Sequence, residues 1–209
     1  MELVFIRHEQ GEHTLNLPYS IYTTDPSLTK EGIIQARELR SQFPISEDDI
    51  VIISPIRRAL QTAMIWTEGI SPTKLVSRLI SPRIFPLKQD SKTLPCYHLL
   101  TREKIRKDFP DFILDKESSL NLWIYGINII PENEFILLAK HFLEWCKKQD
   151  KKRIYLVSHD GQSLLTNNIF WVKNCLEMIF RKKQDGLYVI TNLDISNNDF
   201  ISEKIINNN

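Results

Sequence analysis

Short runs of apolar, mostly β-branched residues recur along the chain between turn-forming or charged residues. The three clearest cover residues 3–6, 50–53 and 154–157. Their length and composition are typical of strands buried on both faces, as in a parallel sheet. A further strand-rich stretch at residues 186–195 predicts a last strand at the edge of that sheet.

Between these runs, the apolar residues change to helical spacing. A stripe over residues 33–43 follows Thr29, a favourable N-cap, and a second helix is predicted from Pro55 or Ile56 to Trp66. A third helix is predicted over residues 132–148. Its shared apolar face comprises Phe135, Leu138, Ala139, Phe142 and Trp145. Alternation of strands and helices predicts an α/β fold, a three-layer sandwich with a central, mostly parallel sheet.

The stretch from 80 to 130 has a different pattern, because prolines interrupt it and only residues 101–109 have a helical pattern. We interpret it as an insertion, or lid, over the active site. A length of 209 residues fits one domain, so residues 1–209 are predicted to form a single domain that includes this lid. The prolines are Pro82, Pro86, Pro95 and Pro110.

Charge and cysteine content narrow the class of protein. Lys and Arg number 27 against 26 Asp and Glu, a net charge of +1 that favours neither nucleic acid nor an anionic membrane as a partner. No apolar run reaches the roughly 18 residues of a membrane span, and no signal peptide is predicted. Cys96, Cys146 and Cys175 lack disulfide or metal-ligand spacing, so we expect structural thiols, a cytoplasmic location, and neither metal nor cofactor. No oligomeric state follows from these patterns.

Polar residues follow each of the three predicted strands. They are the pair Arg7-His8, then Ser54 shortly before two arginines, and the pair Ser158-His159. Because the carboxyl ends of parallel strands line one crevice, these side chains are expected to converge. Arginine matches the oxygens of a phosphate dianion, and a neutral histidine nitrogen can attack phosphorus. The pattern therefore predicts a site for phosphate chemistry.

Four stretches of the chain resemble, in order, the signatures of the histidine phosphatase superfamily, the phosphoglycerate-mutase-like group. They are Arg-His at 7–8, Leu-Thr-x-x-Gly-x-x-Gln-Ala at 28–36, Ser-Pro-Ile-Arg-Arg-Ala-Leu-Gln-Thr-Ala at 54–63, and Val-Ser-His-Asp-Gly at 157–161. Four ordered motifs are far more specific than one Arg-His pair. The closer likeness is to a branch whose first motif reads Arg-His-Ala-Gln-Gly-x-His-Asn. Here Glu9 replaces the alanine and Thr14 replaces the asparagine.

The resemblance implies that His8 is the phosphorylated nucleophile and that Arg7, Arg58 and His159 hold the phosphoryl oxygens. Gln10, Thr14 and Gly161 are the expected substrate-binding residues: Thr14 can donate through its hydroxyl, and Gly161 lets the backbone approach the anion. Positioning and fixed positive charge supply most of the catalysis of phosphoryl transfer, so no metal is needed.

The general acid is sought in the insertion, where the family has a glutamate some residues before Pro-Cys. Asp90, in Lys-Gln-Asp before Pro95-Cys96, is the candidate acid and later base, and Glu9 and Glu12 are the alternatives. A carboxylate at Glu9 would repel phosphate unless it turned away or paired with Arg57. Arg57 is expected on the solvated side of its helix.

No catalytic role is predicted for the remaining histidines. His13 is expected to be structural or a rim contact, and His98 and His141 belong to no motif. The predicted function is that of a phosphatase that hydrolyses phosphomonoesters of small molecules or of phosphoproteins through a phosphohistidine. Two alternatives stay open: a phosphoglycerate-mutase-type phosphotransferase, and a phosphate-binding pseudoenzyme.

Overall fold

The structure is a computed structural model that describes residues 1–83, 92–116, 120–128, 130–159, 180–182 and 188–190. Within these ranges the strands belong to one sheet. They are β1 (Glu2–Arg7), β2 (Ile50–Ile53), β3 (Thr73–Val76), β4 (Ile113–Leu114), β5 (Arg153–Ser158), β6 (Phe180–Lys182) and β7 (Tyr188–Ile190).

The order of strands across the sheet is β4-β3-β2-β5-β1-β7-β6. From β4 to β1 all neighbours are parallel, whereas β7 and β6 are antiparallel additions. The predicted mostly parallel sheet is confirmed. The last predicted strand exists as β7, but its expected edge position is wrong, because β6 lies outside it. With two basic residues in three, β6 has the short, charged character of edge strands and no apolar run to reveal it.

The helices lie on both faces of the sheet. They are α1 (Lys30–Gln42), α2 (Arg57–Trp66), α3 (Arg102–Asp108), α4 (Leu120–Tyr125) and α5 (Glu132–Lys148). Thr29 caps α1 as predicted, since its hydroxyl accepts a hydrogen bond from the amide of Gly32 at 3.0 Å.

Alternate residues of the strands point to opposite faces and form two cores. Val4, Ile6, Val51 and Ile53 pack on one side with residues of α1, α2 and α3. Leu3, Phe5, Ile50 and Ile52 pack on the other with α5. The predicted three-layer α/β sandwich is therefore confirmed. The buried face of α5 is turned slightly from the predicted one, and comprises Phe135, Ala139, Phe142, Leu143 and Cys146.

The segment predicted as an insertion contributes to the sheet as well as to its covering. Thr101 caps α3 where the helix was expected, and β4 pairs in parallel with β3. Neither β3 nor β4 was predicted, because β3 begins with the exposed or half-exposed Thr73 and Lys74 and β4 has only two residues. Among the described residues, no helix is long and apolar enough to cross a membrane.

Candidate active site

The register of the three central strands brings the predicted site residues together. Arg7 pairs with Ser158 across β1 and β5, and the amide of His8 donates to the Ser158 carbonyl at 2.9 Å. On the other side of β5, the amide of Ser54 donates to the Val157 carbonyl at 3.0 Å. His8, His159 and Ser54 consequently leave the sheet side by side. The rings of His8 and His159 meet edge to face, with centroids 4.9 Å apart.

His8 is held as a neutral imidazole with a defined tautomer. Its Nδ1 lies 2.8 Å from the carbonyl oxygen of Glu9, and a carbonyl can only accept, so Nδ1 carries the proton. The other ring nitrogen, Nε2, then keeps its lone pair. Burial lowers the pKa of His8 well below its ordinary value, and the Arg58 and His159 charges lower this pKa further. Nε2 of His8 is therefore unprotonated at neutral pH, as the predicted nucleophile must be.

Arg58 approaches that nucleophile directly. It is fully buried, and its Nε donates to Nε2 of His8 at 3.0 Å while Nη1 donates to the Cys96 carbonyl at 2.9 Å. Its Nη2 is buried with no hydrogen-bond partner among the described residues. Burial lowers the pKa of Arg58 to about 10, which leaves the guanidinium charged at neutral pH. The site thus contains a buried cation with a donor to spare beside the nucleophile, an arrangement that suits an anion.

The adjacent Arg57 points elsewhere. Its Nε binds Asp25 at 2.8 Å and its Nη2 binds Asp108 at 2.8 Å, and Lys104 joins Asp25 at 2.9 Å. This surface network agrees with the expectation for Arg57. It also excludes the suggested pairing of Arg57 with Glu9.

A neutral His159 and the cation Arg7 complete the surroundings of His8. His159 is buried, and its Nε2 lies 2.7 Å from the Ser54 hydroxyl. Burial lowers the pKa of His159 well below its ordinary value, followed by the charge of Arg58. Arg7 ends β1 with its side chain exposed, and its charge also lowers the pKa of His159. Ser54 was expected to lie near these side chains, but no role in the site was predicted for it.

The start of α1 clamps the loop that follows His8. The amide of Thr29 donates to the Gln10 carbonyl at 2.9 Å, and the amide of Gln10 donates to Oε1 of Gln35 at 3.1 Å. A Cβ at Gly32 would lie only 2.1 Å from the Gln10 carbonyl oxygen. The stretch at 28–36 is therefore a support for the His8 loop, a role that its spacing alone did not reveal.

Helix α2 supports the same loop from the other side. The hydroxyl of Thr62 accepts from the amide of Glu9 at 3.1 Å and donates to the Arg58 carbonyl at 2.8 Å. Oε1 of Gln61 accepts from the amide of Leu28 at 2.8 Å. Both residues belong to the third motif, and their contribution is to join the loop to the helix that carries Arg58.

The expected substrate-binding residues hold internal bonds in this structure. Oε1 of Gln10 accepts from the Thr29 hydroxyl at 2.7 Å, and the Thr14 hydroxyl donates to the Gly11 carbonyl at 2.8 Å. Asp90 and Gly161 lie outside the described residues. Of the alternative acids, Glu12 is exposed and accepts from the amide of Ser27 at 2.9 Å. The substrate contacts of these residues stay predictions.

A third histidine lies near the nucleophile. The ring centroids of His13 and His8 are 5.4 Å apart, and burial together with the charges of Arg58 and Arg7 lowers the pKa of His13 to about 3. Within the described parts of the chain, no cluster of three or more His, Cys, Asp or Glu side chains could hold a metal ion. The arrangement can bind a phosphoryl group and attack it with a histidine nitrogen.

Comparison with protein families points to the same chemistry. Residues 3–80 match the model of the histidine phosphatase superfamily (branch 1). The chain is 27% identical over 192 residues to the phosphoglycerate mutase-like protein 1 of Arabidopsis thaliana, a match that covers 76% of this chain and 68% of that protein. It is 28% identical over 115 residues to a probable phosphatase of Schizosaccharomyces pombe, covering 53% of this chain and 50% of the relative.

A solved structure shares the fold. The ecdysone phosphate phosphatase of Bombyx mori superposes with a TM-score of 0.50 at 14% identity, over 76% of this chain and 72% of that one. At this identity the likeness shows the fold alone. The superfamily and the relatives together indicate phosphatase or mutase activity.

Proposed function

Because residues 3–80 match the model of the histidine phosphatase superfamily (branch 1), we propose that the chain is a metal-independent phosphatase that hydrolyses phosphomonoesters through a phosphohistidine on His8. The observation that carries this proposal is the bond between Arg58 and His8. A neutral His8 presents the lone pair of Nε2 to a buried guanidinium that has a further donor, Nη2, to offer an anion.

The first step is an exchange of partners around Arg58. In this structure Nε of Arg58 occupies the lone pair that must attack phosphorus. A phosphate dianion is a stronger acceptor than an imidazole nitrogen, so it takes the Arg58 donors and leaves Nε2 of His8 exposed to phosphorus. Arg7 and His159 bind the remaining phosphoryl oxygens and fix the group in line for attack.

Phosphoryl transfer then proceeds in two displacements. Nε2 of His8 forms a bond to phosphorus while the ester P–O bond breaks, and the leaving oxygen takes a proton from the general acid. Water attacks the phosphohistidine next, the N–P bond breaks, and the proton of the water passes to the carboxylate that acted as acid. Asp90 is the proposed acid and base, with Glu9 and Glu12 as the alternatives.

The substrate is proposed to be a phosphorylated small molecule or a phosphoprotein. The 80–130 segment is proposed to form the lid over the site within a single domain of residues 1–209, and its side chains would then choose the leaving group. A mutase-type phosphotransferase is the second candidate, because one relative is named phosphoglycerate mutase-like. The two activities differ in whether water or a second substrate takes the phosphoryl group from His8.

The test is hydrolysis of p-nitrophenyl phosphate by the wild type and by His8→Ala, near pH 6, with a chelator present. His141→Ala is the matched control, because His141 lies exposed on α5 away from the site. We expect His8→Ala to lose activity by on the order of 10⁴-fold or more, as for other catalytic nucleophiles, and His141→Ala to keep it.

A chemical trap distinguishes the mechanisms. Radiolabelled phosphate from the substrate should be found on the wild type as an acid-labile adduct and be missing from His8→Ala. If His8→Ala hydrolyses the ester as fast as the wild type, the proposal is wrong. If the wild type is silent on a panel of phosphomonoesters yet binds inorganic phosphate, the chain is the phosphate-binding pseudoenzyme.

A further inference from the structure

His13 lies closer to His8 than the structural or rim role expected from the sequence requires. It lies in a 3-10 helix, Glu12–Thr14, directly after the loop that carries His8. A Cβ built on Gly11 would lie 2.8 Å from Nδ1 of His13 and 3.0 Å from Cδ of Arg58. The ring of His13 and the side chain of Arg58 therefore both pack against the backbone of Gly11, where there is room only for glycine.

The Nδ1 atom of His13 is buried with no hydrogen-bond partner in the part of the chain that the structure describes. Its backbone is fixed, since the Ser20 hydroxyl donates to the His13 carbonyl at 2.8 Å. A buried polar atom without a partner carries its desolvation cost uncompensated. Nη2 of Arg58 is in the same condition. Two such atoms around one nucleophile suit a ligand that offers several acceptors.

Burial and the neighbouring charges keep His13 neutral while no anion is bound. Burial lowers its pKa most, Arg58 from α2 and Arg7 from β1 lower it further, and the nearby rings of His8 and His159 are themselves neutral. On its own turn, the carboxylate of Glu12 binds the amide of Ser27. A phosphate dianion in front of Arg58 would offset the two cations and place negative charge beside the ring.

We propose that His13 is a third phosphate-binding histidine, which takes up a proton from solvent when a phosphate dianion enters the site and then donates a hydrogen bond to that dianion through Nδ1. This inference rests on the proposed function, because it requires that the anion replace His8 as the partner of Arg58. Protonation driven by the substrate itself was predicted from the sequence for no residue.

Proton uptake on binding is the direct test. Calorimetric titrations with tungstate, which stays a dianion near pH 7.5, are run in several buffers of different ionisation enthalpy, so that protons taken up are counted. The wild type is compared with His13→Gln, which removes titration and keeps a donor, and with His141→Gln as the exposed control. We expect His13→Gln to take up about one proton fewer per bound tungstate, and His141→Gln to match the wild type.

Affinity and nitrogen chemical shifts give second readouts. Loss of a charge-assisted bond predicts binding weaker by on the order of 10-fold in His13→Gln. In ¹⁵N-histidine-labelled wild type, which needs no variant to fold, both ring nitrogens of His13 should shift to protonated values on addition of tungstate. Equal proton uptake in all three proteins, with tungstate bound, would overturn the role of His13 alone. No binding of tungstate by the wild type would overturn the phosphate site and the proposed function with it.

Discussion

Two buried arginines in different regions of the molecule show how a binding site differs from a structural contact. Arg58 lies at the carboxyl ends of the central strands and is 0% exposed. Arg83 lies in the 80–130 segment and is 5% exposed. Nη1 of Arg83 donates to the carbonyls of Ile127 and Ile130, both at 2.8 Å, and its guanidinium lies 4.2 Å from the centroid of the Phe135 ring. Arg58 also donates to one carbonyl, that of Cys96, but its Nε donates to a histidine nitrogen. Burial of an arginine is common to both regions, and the chemistry of the partner is what differs.

The contrast teaches how each region uses its charge. Carbonyls and an aromatic face of the protein itself stabilise a cation in the fold, so Arg83 joins Ile127 and Ile130 to Phe135 of α5 and has a structural task. A neutral imidazole is a partner that a phosphate dianion can displace, so the bond of Arg58 is suited to exchange. We therefore expect the site at the carboxyl ends of the central strands to exchange this bond for a ligand, and Arg83 to stabilise its part of the 80–130 segment.

The largest expected effect comes from replacing each arginine by lysine. Lysine keeps the charge but lacks the planar fork, so Arg58→Lys should lower kcat/KM for p-nitrophenyl phosphate by about 10²- to 10³-fold. Arg83→Lys should lower the free energy of unfolding by about 1–3 kcal/mol and leave kcat/KM of the folded protein within about threefold. Steady-state kinetics and urea unfolding of both variants measure the two effects.

Arg57→Lys is the control for the first pair, because Arg57 precedes Arg58 on the same helix and binds only surface carboxylates in the described structure. Its kcat/KM should stay near that of the wild type, and its stability should change by no more than about 1 kcal/mol. A loss of activity in Arg83→Lys as large as in Arg58→Lys would break the distinction between the two regions.

The next largest effect is expected at Gly32, where the start of α1 packs against the loop that follows His8. Gly32→Ala places a methyl group 2.1 Å from the Gln10 carbonyl oxygen, a contact that forces α1 and the loop apart. We expect unfolding to be easier by about 1–3 kcal/mol and kcat/KM to fall by roughly 10-fold or more. Gly69→Ala is the control: it has a φ of +78° but nothing within 4 Å, so it should cost about 1 kcal/mol of strain and leave activity unchanged.

A smaller effect is expected from two threonines of the same helix region. Thr62 and Thr67 are both buried, and each hydroxyl donates at 2.8 Å to the carbonyl four residues earlier. Only the hydroxyl of Thr62 also accepts from the amide of Glu9. Thr62→Val should therefore lower kcat/KM several-fold, whereas Thr67→Val should lower stability by about 1 kcal/mol without affecting kcat/KM. Equal kinetics for the two variants would show that the bond to Glu9 does not position His8.

The residues at the carboxyl ends of the central strands could be predicted from the sequence, because the polar residues follow the apolar runs directly in the chain. Each strand end carries its own polar residues, and parallel pairing alone brings Arg7, Ser54 and His159 to one edge. The resemblance then selected Arg58 over Arg57, and the structure places Arg58 against His8. The bonds that support the site were not predictable, because Gln35, Thr62 and Gly32 act on backbone groups 22 to 53 positions away, which no periodicity reveals.

The outer strands show why sequence patterns fail to predict some elements of the sheet. A buried parallel strand such as β2 is apolar on both faces, so its sequence differs from its surroundings. By contrast β3 is buried only at Val76, and β6 and β7 are three residues each. Such strands are defined by pairing with a neighbour that must already be in place. Sequence patterns therefore identify the buried central strands of this sheet better than its short outer strands.

The last effect expected is a pH dependence of stability that arises from the histidines at the carboxyl ends of β1 and β5. Burial lowers the pKa of both His8 and His159 in the folded protein, so below about pH 6.5 the unfolded chain binds protons that the folded chain does not. The free energy of unfolding should therefore fall as the pH drops, by up to about 1.4 kcal/mol per pH unit for each histidine. Urea unfolding between about pH 6.5 and 5, above the range where most carboxylates titrate, measures this slope. His8→Asn should make the slope shallower by that amount and His141→Asn should not, whereas equal slopes would show that His8 is protonated in the folded protein.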